Sequence, residues 1–113
     1  MRKKNYKGRC EKRAYSKCRD ICRTYSPVQA AYAAKLEMDT DVSSFQCNVE
    51  LEDSEYTTDF LVTMNNGTLS VCECVPRNHL TKPQTIRLLD DSLSYWKKRG
   101  IVEWKVITDA EKE

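Results

Sequence analysis

The chain reads as a single α/β domain in which a mixed sheet is covered by helices. Three observations lead there. Its 113 residues suit one domain and leave no room for a second lobe. The spacing of apolar residues changes several times between the helical period and the two-residue alternation of strands. Finally, Asn65-Asn66-Gly67 lies between two short apolar runs, the pattern of a tight hairpin turn.

Taken in order, residues 11–23 carry Ala14, Cys18, Ile21 and Cys22 at helical spacing among basic residues, which predicts an extra amphipathic, basic N-terminal helix. Ser26 followed by Pro27 is a helix start, with Ser as cap and Pro in the first turn. This second helix should run to about Met38, with Val28, Ala31, Tyr32 and Leu36 facing a core, and Asp39-Thr40-Asp41 should end it. From Val42 to Leu51, Phe45, Cys47, Val49 and Leu51 alternate with Ser44, Gln46, Asn48 and Glu50, predicting a first strand with one buried side. Strands are expected from about Tyr56 to Met64 and from about Thr68 to Val75, joined by the Asn-Gly turn and stopped at Pro76. Thr81 is a candidate cap for a long helix with Pro83 in its first turn, a buried stripe of Ile86, Leu89, Leu93 and Trp96, and a stop at Gly100. Val102, Trp104 and Val106 then alternate with Glu103 and Lys105 as a last strand. The expected organisation is a basic segment over 1–25, a body over 26–109 with the order helix, three strands, helix, strand, and a tail over 110–113.

No uncharged apolar stretch approaches the ~20 residues of a bilayer span, so no membrane segment is expected. The basic stretch Met1 to Lys7 is followed by no apolar run, which makes a cytoplasmic location the default. In that setting Asn66-Gly67-Thr68 is a turn rather than a glycosylation site.

The reducing cytosol also governs the six cysteines, Cys10, Cys18, Cys22, Cys47, Cys72 and Cys74. They contain no Cys-x-x-Cys pair. Cys18 and Cys22 would share a helical face, so a zinc site completed by Cys10 and either Cys47 or His79 is geometrically conceivable. The favoured reading is small buried thiols, with zinc disfavoured.

The net charge of +2 hides an asymmetry. Residues 1–25 hold ten Lys/Arg against two acids, a net +8, and residues 26–113 hold nine against fifteen, a net −6. Arg2, Lys3, Lys4, Lys7, Arg9, Lys12, Arg13, Lys17, Arg19 and Arg23 are therefore candidates for phosphate contact with DNA. A solvated basic face, or docking on the acidic body or on an acidic partner, would use the same charges. Tyr6, Tyr15 and Tyr25 among them could stack on bases or pack.

Asp59 and Glu73 each interrupt an apolar run, on strands that the turn brings together. Burying two carboxyl groups among Phe, Leu and Val costs several kcal/mol unless a cation or a set of donors compensates. The pair thus points to a divalent metal site. Its structural alternative is an ion pair with Arg77 or Lys82. His79 reads as a loop residue, and Trp96 and Trp104 as packing residues.

The element order together with Tyr25-Ser26-Pro27-Val28-Gln29, Leu36-Glu37-Met38-Asp39-Thr40-Asp41-Val42, Thr57-Thr58-Asp59-Phe60-Leu61-Val62 and Cys72-Glu73-Cys74-Val75-Pro76-Arg77 resembles the N-terminal domain of TnsA-like transposon endonucleases. The wider group is the PD-(D/E)XK nuclease superfamily, with its restriction-endonuclease-like mixed sheet. That resemblance covers about Tyr25 to Asp109. It implies Mg²⁺ held by Asp59 and Glu73, with Gln29 in place of the helix acid and Val75 in place of the lysine that serves the attacking water. Gln29, Asp59 and Glu73 should then converge on a common pocket. Gln29 keeps an oxygen for a hard cation, so metal binding is expected in weakened form. Val75 offers no charge, and loss of one preorganised group typically costs about 10²–10³ in rate. Lys82 and Lys35 are the candidates to replace it. The resemblance implies a DNA-associated protein of a mobile genetic element with reduced or absent cleavage, and a homodimer if paired cuts are made. The alternative is a non-enzymatic interaction or inhibitor protein that presents this fold to a transposase or another nucleic-acid enzyme.

Overall fold

The computed structural model describes residues 11–52 and 57–108. A four-stranded mixed sheet forms its centre, in the order β3-β4-β5-β6, with a separate two-stranded β1-β2 sheet at the N-terminal side. The strands are β1 (Glu11–Arg13), β2 (Cys22–Thr24), β3 (Val42–Glu50), β4 (Thr57–Met64), β5 (Leu69–Cys74) and β6 (Glu103–Ile107). Helix α1 (Pro27–Met38) precedes β3, and α2 (Pro83–Lys98) follows a 3-10 turn (Arg77–His79) and crosses from β5 to β6. The β3–β4 and β4–β5 pairs are antiparallel and β5–β6 is parallel, as a helical crossover requires.

From α1 onward the elements lie close to where the periodicity predicts them, but Lys82 rather than Thr81 is the N-cap of α2, and no side-chain cap bond forms there. The Ser26 hydroxyl accepts the Gln29 amide (3.2 Å) and Pro27 occupies the first turn of α1. Gly67 at φ 89 takes the left-handed turn position between β4 and β5, with its N–H bonded to the Met64 carbonyl. Tyr56, expected at the start of β4, and the tail over 110–113 lie outside the described residues.

The expected N-terminal helix over residues 11–23 is replaced by the antiparallel β1–β2 hairpin. Ala14 and Ile21, needed for an apolar helix face, are exposed. Cys22 and Thr24 instead turn inward on either side of exposed Arg23, the alternation of a strand. More than half of the segment, including Glu11, Lys12, Arg13 and Ala14, consists of good helix formers, so tertiary contact overrides local propensity here. The Phe45 N–H bonds the Lys17 carbonyl at 2.9 Å, and Cys18 bridges to Phe45, so the hairpin's loop attaches to the edge of β3.

Two apolar clusters occupy opposite faces of the main sheet. On the α1 side, Val28, Ala33 and Leu36 pack on Phe45, Phe60, Val62, Cys72 and Cys74. On the α2 side, Trp96 and Ile101 pack with Leu51, Val71, Leu61 and Trp104. Cys47 belongs to the first cluster and Val49 to the second, although strand periodicity predicts the same face for both. Asn48, at φ 57, lies between them and turns the strand over.

A second departure concerns α2. Of the expected stripe, Trp96 alone is buried, Leu89 is half-buried, and Ile86 and Leu93 are 46% and 41% exposed. The helix turns Ser92 and Trp96 toward the sheet, one turn apart, because buried polar partners for both await there.

Candidate functional site

The β4–β5 ladder runs in register from Thr63↔Leu69 to Phe60↔Cys72, and the next positions are Asp59 and Glu73. Here side chains take over from backbone pairing. The Asp59 N–H donates to Glu73 Oε1 at 3.2 Å, and the Cys74 N–H donates to Asp59 Oδ2 at 2.6 Å. On the α2 side the Ser92 hydroxyl donates to Glu73 Oε2 at 2.6 Å and itself accepts the Trp104 indole N–H at 3.0 Å. Beside this chain Trp96 Nε1 donates to Thr58 Oγ1 at 2.8 Å. Asp59 is 1% exposed and Glu73 is fully buried.

This donor set bears directly on a divalent cation. Three of the pair's four oxygens already accept a protein N–H or O–H. Mg²⁺ dehydrates reluctantly and takes near-octahedral oxygen ligands that usually include several waters. These protein donors supply compensation that burial of the pair demands.

Gln29 is buried on α1, where its amide is engaged at both ends. Its Oε1 accepts the Tyr25 N–H at 2.9 Å and its Nε2 donates to Asn48 Oδ1 at 3.1 Å, while Asn48 Nδ2 donates to the Arg23 carbonyl at 2.7 Å. The structure thus brings Asp59 and Glu73 into one network and gives Gln29 to another, which ties α1 to β2 and to the turned-over residue of β3. Val75 is buried. Lys35 is exposed on α1, its ammonium 6.0 Å from the Tyr32 ring centre, and Lys82 is exposed at the start of α2. His79 is half-buried in the 3-10 turn.

Of the ten basic candidates, Arg2, Lys3, Lys4, Lys7 and Arg9 lie outside the described residues. Lys12, Arg13, Arg19 and Arg23 are exposed on the hairpin. Arg13 stands 3.9 Å from Glu11, an exposed ion pair of little energetic weight. Lys17 is half-buried and donates to the Asp39 carbonyl at 2.6 Å, and Glu37 accepts the Ser16 hydroxyl and the Ser16 and Lys17 amides. The hairpin and the outer side of β3 enclose a groove of about 760 Å³ lined by Lys17, Arg19, Arg23, Tyr25, Gln46 and Asn48, among others.

The sulfurs of Cys18, Cys22 and Cys47 form a second constellation, with all three within 4.8 Å of one another. Cys18 and Cys47 approach to 3.9 Å. Cys18 and Cys22 are buried and Cys47 is half-buried. A hydrogen bond from the Cys22 thiol draws Cys47 down to about 6 despite its burial, and the same bond with burial pushes Cys22 up. Burial and the neighbouring Cys47 raise Cys18 to about 11. The sequence reading disfavoured zinc, yet this trio could hold a metal ion. Its signal was the Cys18-x3-Cys22 spacing, but the hairpin loop and β2 rather than a helix carry those residues, and Cys47 arrives from β3. Cys10 lies outside the described residues, and Cys72 and Cys74 are core residues on the α1 side.

No known protein-family model matches the chain, and no curated protein matches it. No helix among the described residues is long and apolar enough to cross a membrane.

Proposed function

We propose that the chain is a DNA-associated, non-cleaving relative of TnsA-like transposon endonucleases, which grips the phosphate backbone through its N-terminal hairpin. The observation that carries this reading is the groove beside β3, where Lys17, Arg19 and Arg23 outnumber Asp20 and Glu50 and stand with Tyr25 along a polar floor. Cations set the affinity for a phosphodiester chain, and an aromatic ring adds a platform for a base. The resemblance supplies the class of partner: the mixed sheet and the cross-strand acids at Asp59 and Glu73 accord with it. Absence of cleavage rests on the chemistry of the remaining positions, since Val75 carries no charge and the acids are sealed among donors.

Fluorescence anisotropy with a labelled duplex tests this reading. Binding should weaken steeply between about 50 and 200 mM salt, and Arg19→Ala or Arg23→Ala should each reduce the slope of log affinity against log salt by about 1. DNA should remain intact in Mg²⁺ or Mn²⁺. Failure to bind at low salt overturns the reading, and cleavage that Asp59→Ala abolishes overturns its non-cleaving part.

A second reading, a scaffold that docks on a recombination or other nucleic-acid enzyme, has its support in α2. There Ile86 and Leu93 are exposed, and Val102, just before β6, is 86% exposed. Pull-down of a transposase partner lost on Ile86→Asp would favour it.

A further inference from the structure

We propose that Cys18, Cys22 and Cys47 are the thiolate ligands of a tetrahedral Zn²⁺ site that fastens the β1–β2 hairpin to the main sheet. The inference stands apart from the DNA-binding reading and from the Asp59–Glu73 network, which belongs to other elements.

Geometry is the first support. With Zn–S bonds of about 2.3 Å, tetrahedral ligands lie about 3.8 Å apart along each edge. The Cys18 and Cys47 sulfurs are already at 3.9 Å, and no pair in the trio exceeds 4.8 Å. Cys72 lies in the same core cluster and turns its thiol to the Tyr32 hydroxyl at 3.5 Å. Cys18, Cys22 and Cys47 turn toward one another, from the hairpin loop, from β2 and from β3.

The surroundings suit a metal-bound sulfur. Three thiolates around Zn²⁺ leave a net charge of −1, and Lys17, Arg19 and Arg23 border the same groove. Cys18 and Cys47 line that groove, so a fourth ligand can approach from it and the metal has a way in. Soft thiolates select Zn²⁺ over Mg²⁺ or Ca²⁺. On binding, three Zn–S bonds form and the thiol protons pass to solvent.

There is also a structural need. The hairpin's strands are three residues each, and a two-stranded ribbon of that length is not stable alone. A metal that joins two hairpin cysteines to one on β3 closes it onto the sheet and orders the basic side chains it carries.

The experiment uses the full chain, free of any affinity tag and held under a non-chelating reductant. Elemental analysis should find one zinc per chain, and Co²⁺ exchanged into the chelator-stripped protein should show the near-ultraviolet charge-transfer band of thiolate ligands. Cys18→Ser, Cys22→Ser and Cys47→Ser should each weaken Zn²⁺ affinity by about 100-fold or more, while Cys74→Ser keeps it. Should a serine variant fail to fold, the cobalt spectrum of the unmodified chain decides alone: a tetrahedral thiolate spectrum supports the site, and its absence overturns it. Metal that all three variants retain is adventitious and overturns the proposal, as does a stripped protein that takes up neither Zn²⁺ nor Co²⁺ in reductant.

Discussion

Ser92→Ala removes one oxygen from the centre of the fold, and the structure says what that oxygen does. It donates to Glu73 Oε2 at 2.6 Å and accepts from Trp104 Nε1 at 3.0 Å, in a place with no solvent exposure. A hydrogen bond to a carboxyl group contributes about 1.5–3 kcal/mol, and the half-buried Trp104 indole N–H left without its acceptor costs about 1 kcal/mol. Because the two losses share one atom they do not add fully, and about 3 kcal/mol is the expected destabilisation. For a domain of this size that is a fall in Tm of about 12 °C, at about 4 °C per kcal/mol. The reference is Leu93→Ala on the next residue of α2, where 41% exposure limits the loss to about 1 kcal/mol. Urea denaturation with an unchanged m-value and a calorimetric Tm give the two numbers. If Ser92→Ala costs no more than Leu93→Ala, the sealed network around Glu73 is not what holds α2 to the sheet, and the account of the acid pair fails.

Other consequences follow from the β3 edge and from the hairpin loop. Asn48→Ala forces alanine into φ 57 and removes the amide that joins Gln29 to the Arg23 carbonyl, so about 2–3 kcal/mol should be lost in chemical denaturation. Asn48→Gly should recover only the part due to backbone strain. Glu37, held below the usual carboxylate range chiefly by the Ser16 hydroxyl, favours folding above its unfolded pKa, and that contribution disappears as the pH falls through its folded value. The stability difference between the native chain and Glu37→Gln should therefore be constant near neutral pH and vanish on acidification, and a difference that grows toward acid would reverse the sign argued here.

The helix and strand order from Ser26 onward was legible because each element spans enough residues for its period to repeat. The Ser26-Pro27 cap, the Asn-Gly turn and the Gly100 stop marked ends by local backbone chemistry. The hairpin escaped detection for the converse reason: a three-residue strand shows a single alternation, and Cys18, Ile21 and Cys22 imitate a helical face. On α2, apolar counting chose Ile86 and Leu93, whereas Glu73 drew Ser92 inward. Along β3, alternation assigned Cys47 and Val49 to one side, and the left-handed backbone at Asn48 parted them.

The candidate sites divide along the same line. Asp59 and Glu73 could be paired from sequence, since a hairpin of defined turn sets its own register. Whether their oxygens face a cation or protein donors depends on Ser92, Cys74 and Trp104, which no local pattern connects to them. The cysteine trio depends still more on long-range contact, because Cys47 meets Cys18 and Cys22 only after the hairpin docks on the edge of β3. Local periodicity and turn chemistry act over a few residues and so are written in the chain itself, while the partner of a buried polar atom or a thiol is chosen by packing between segments far apart in it.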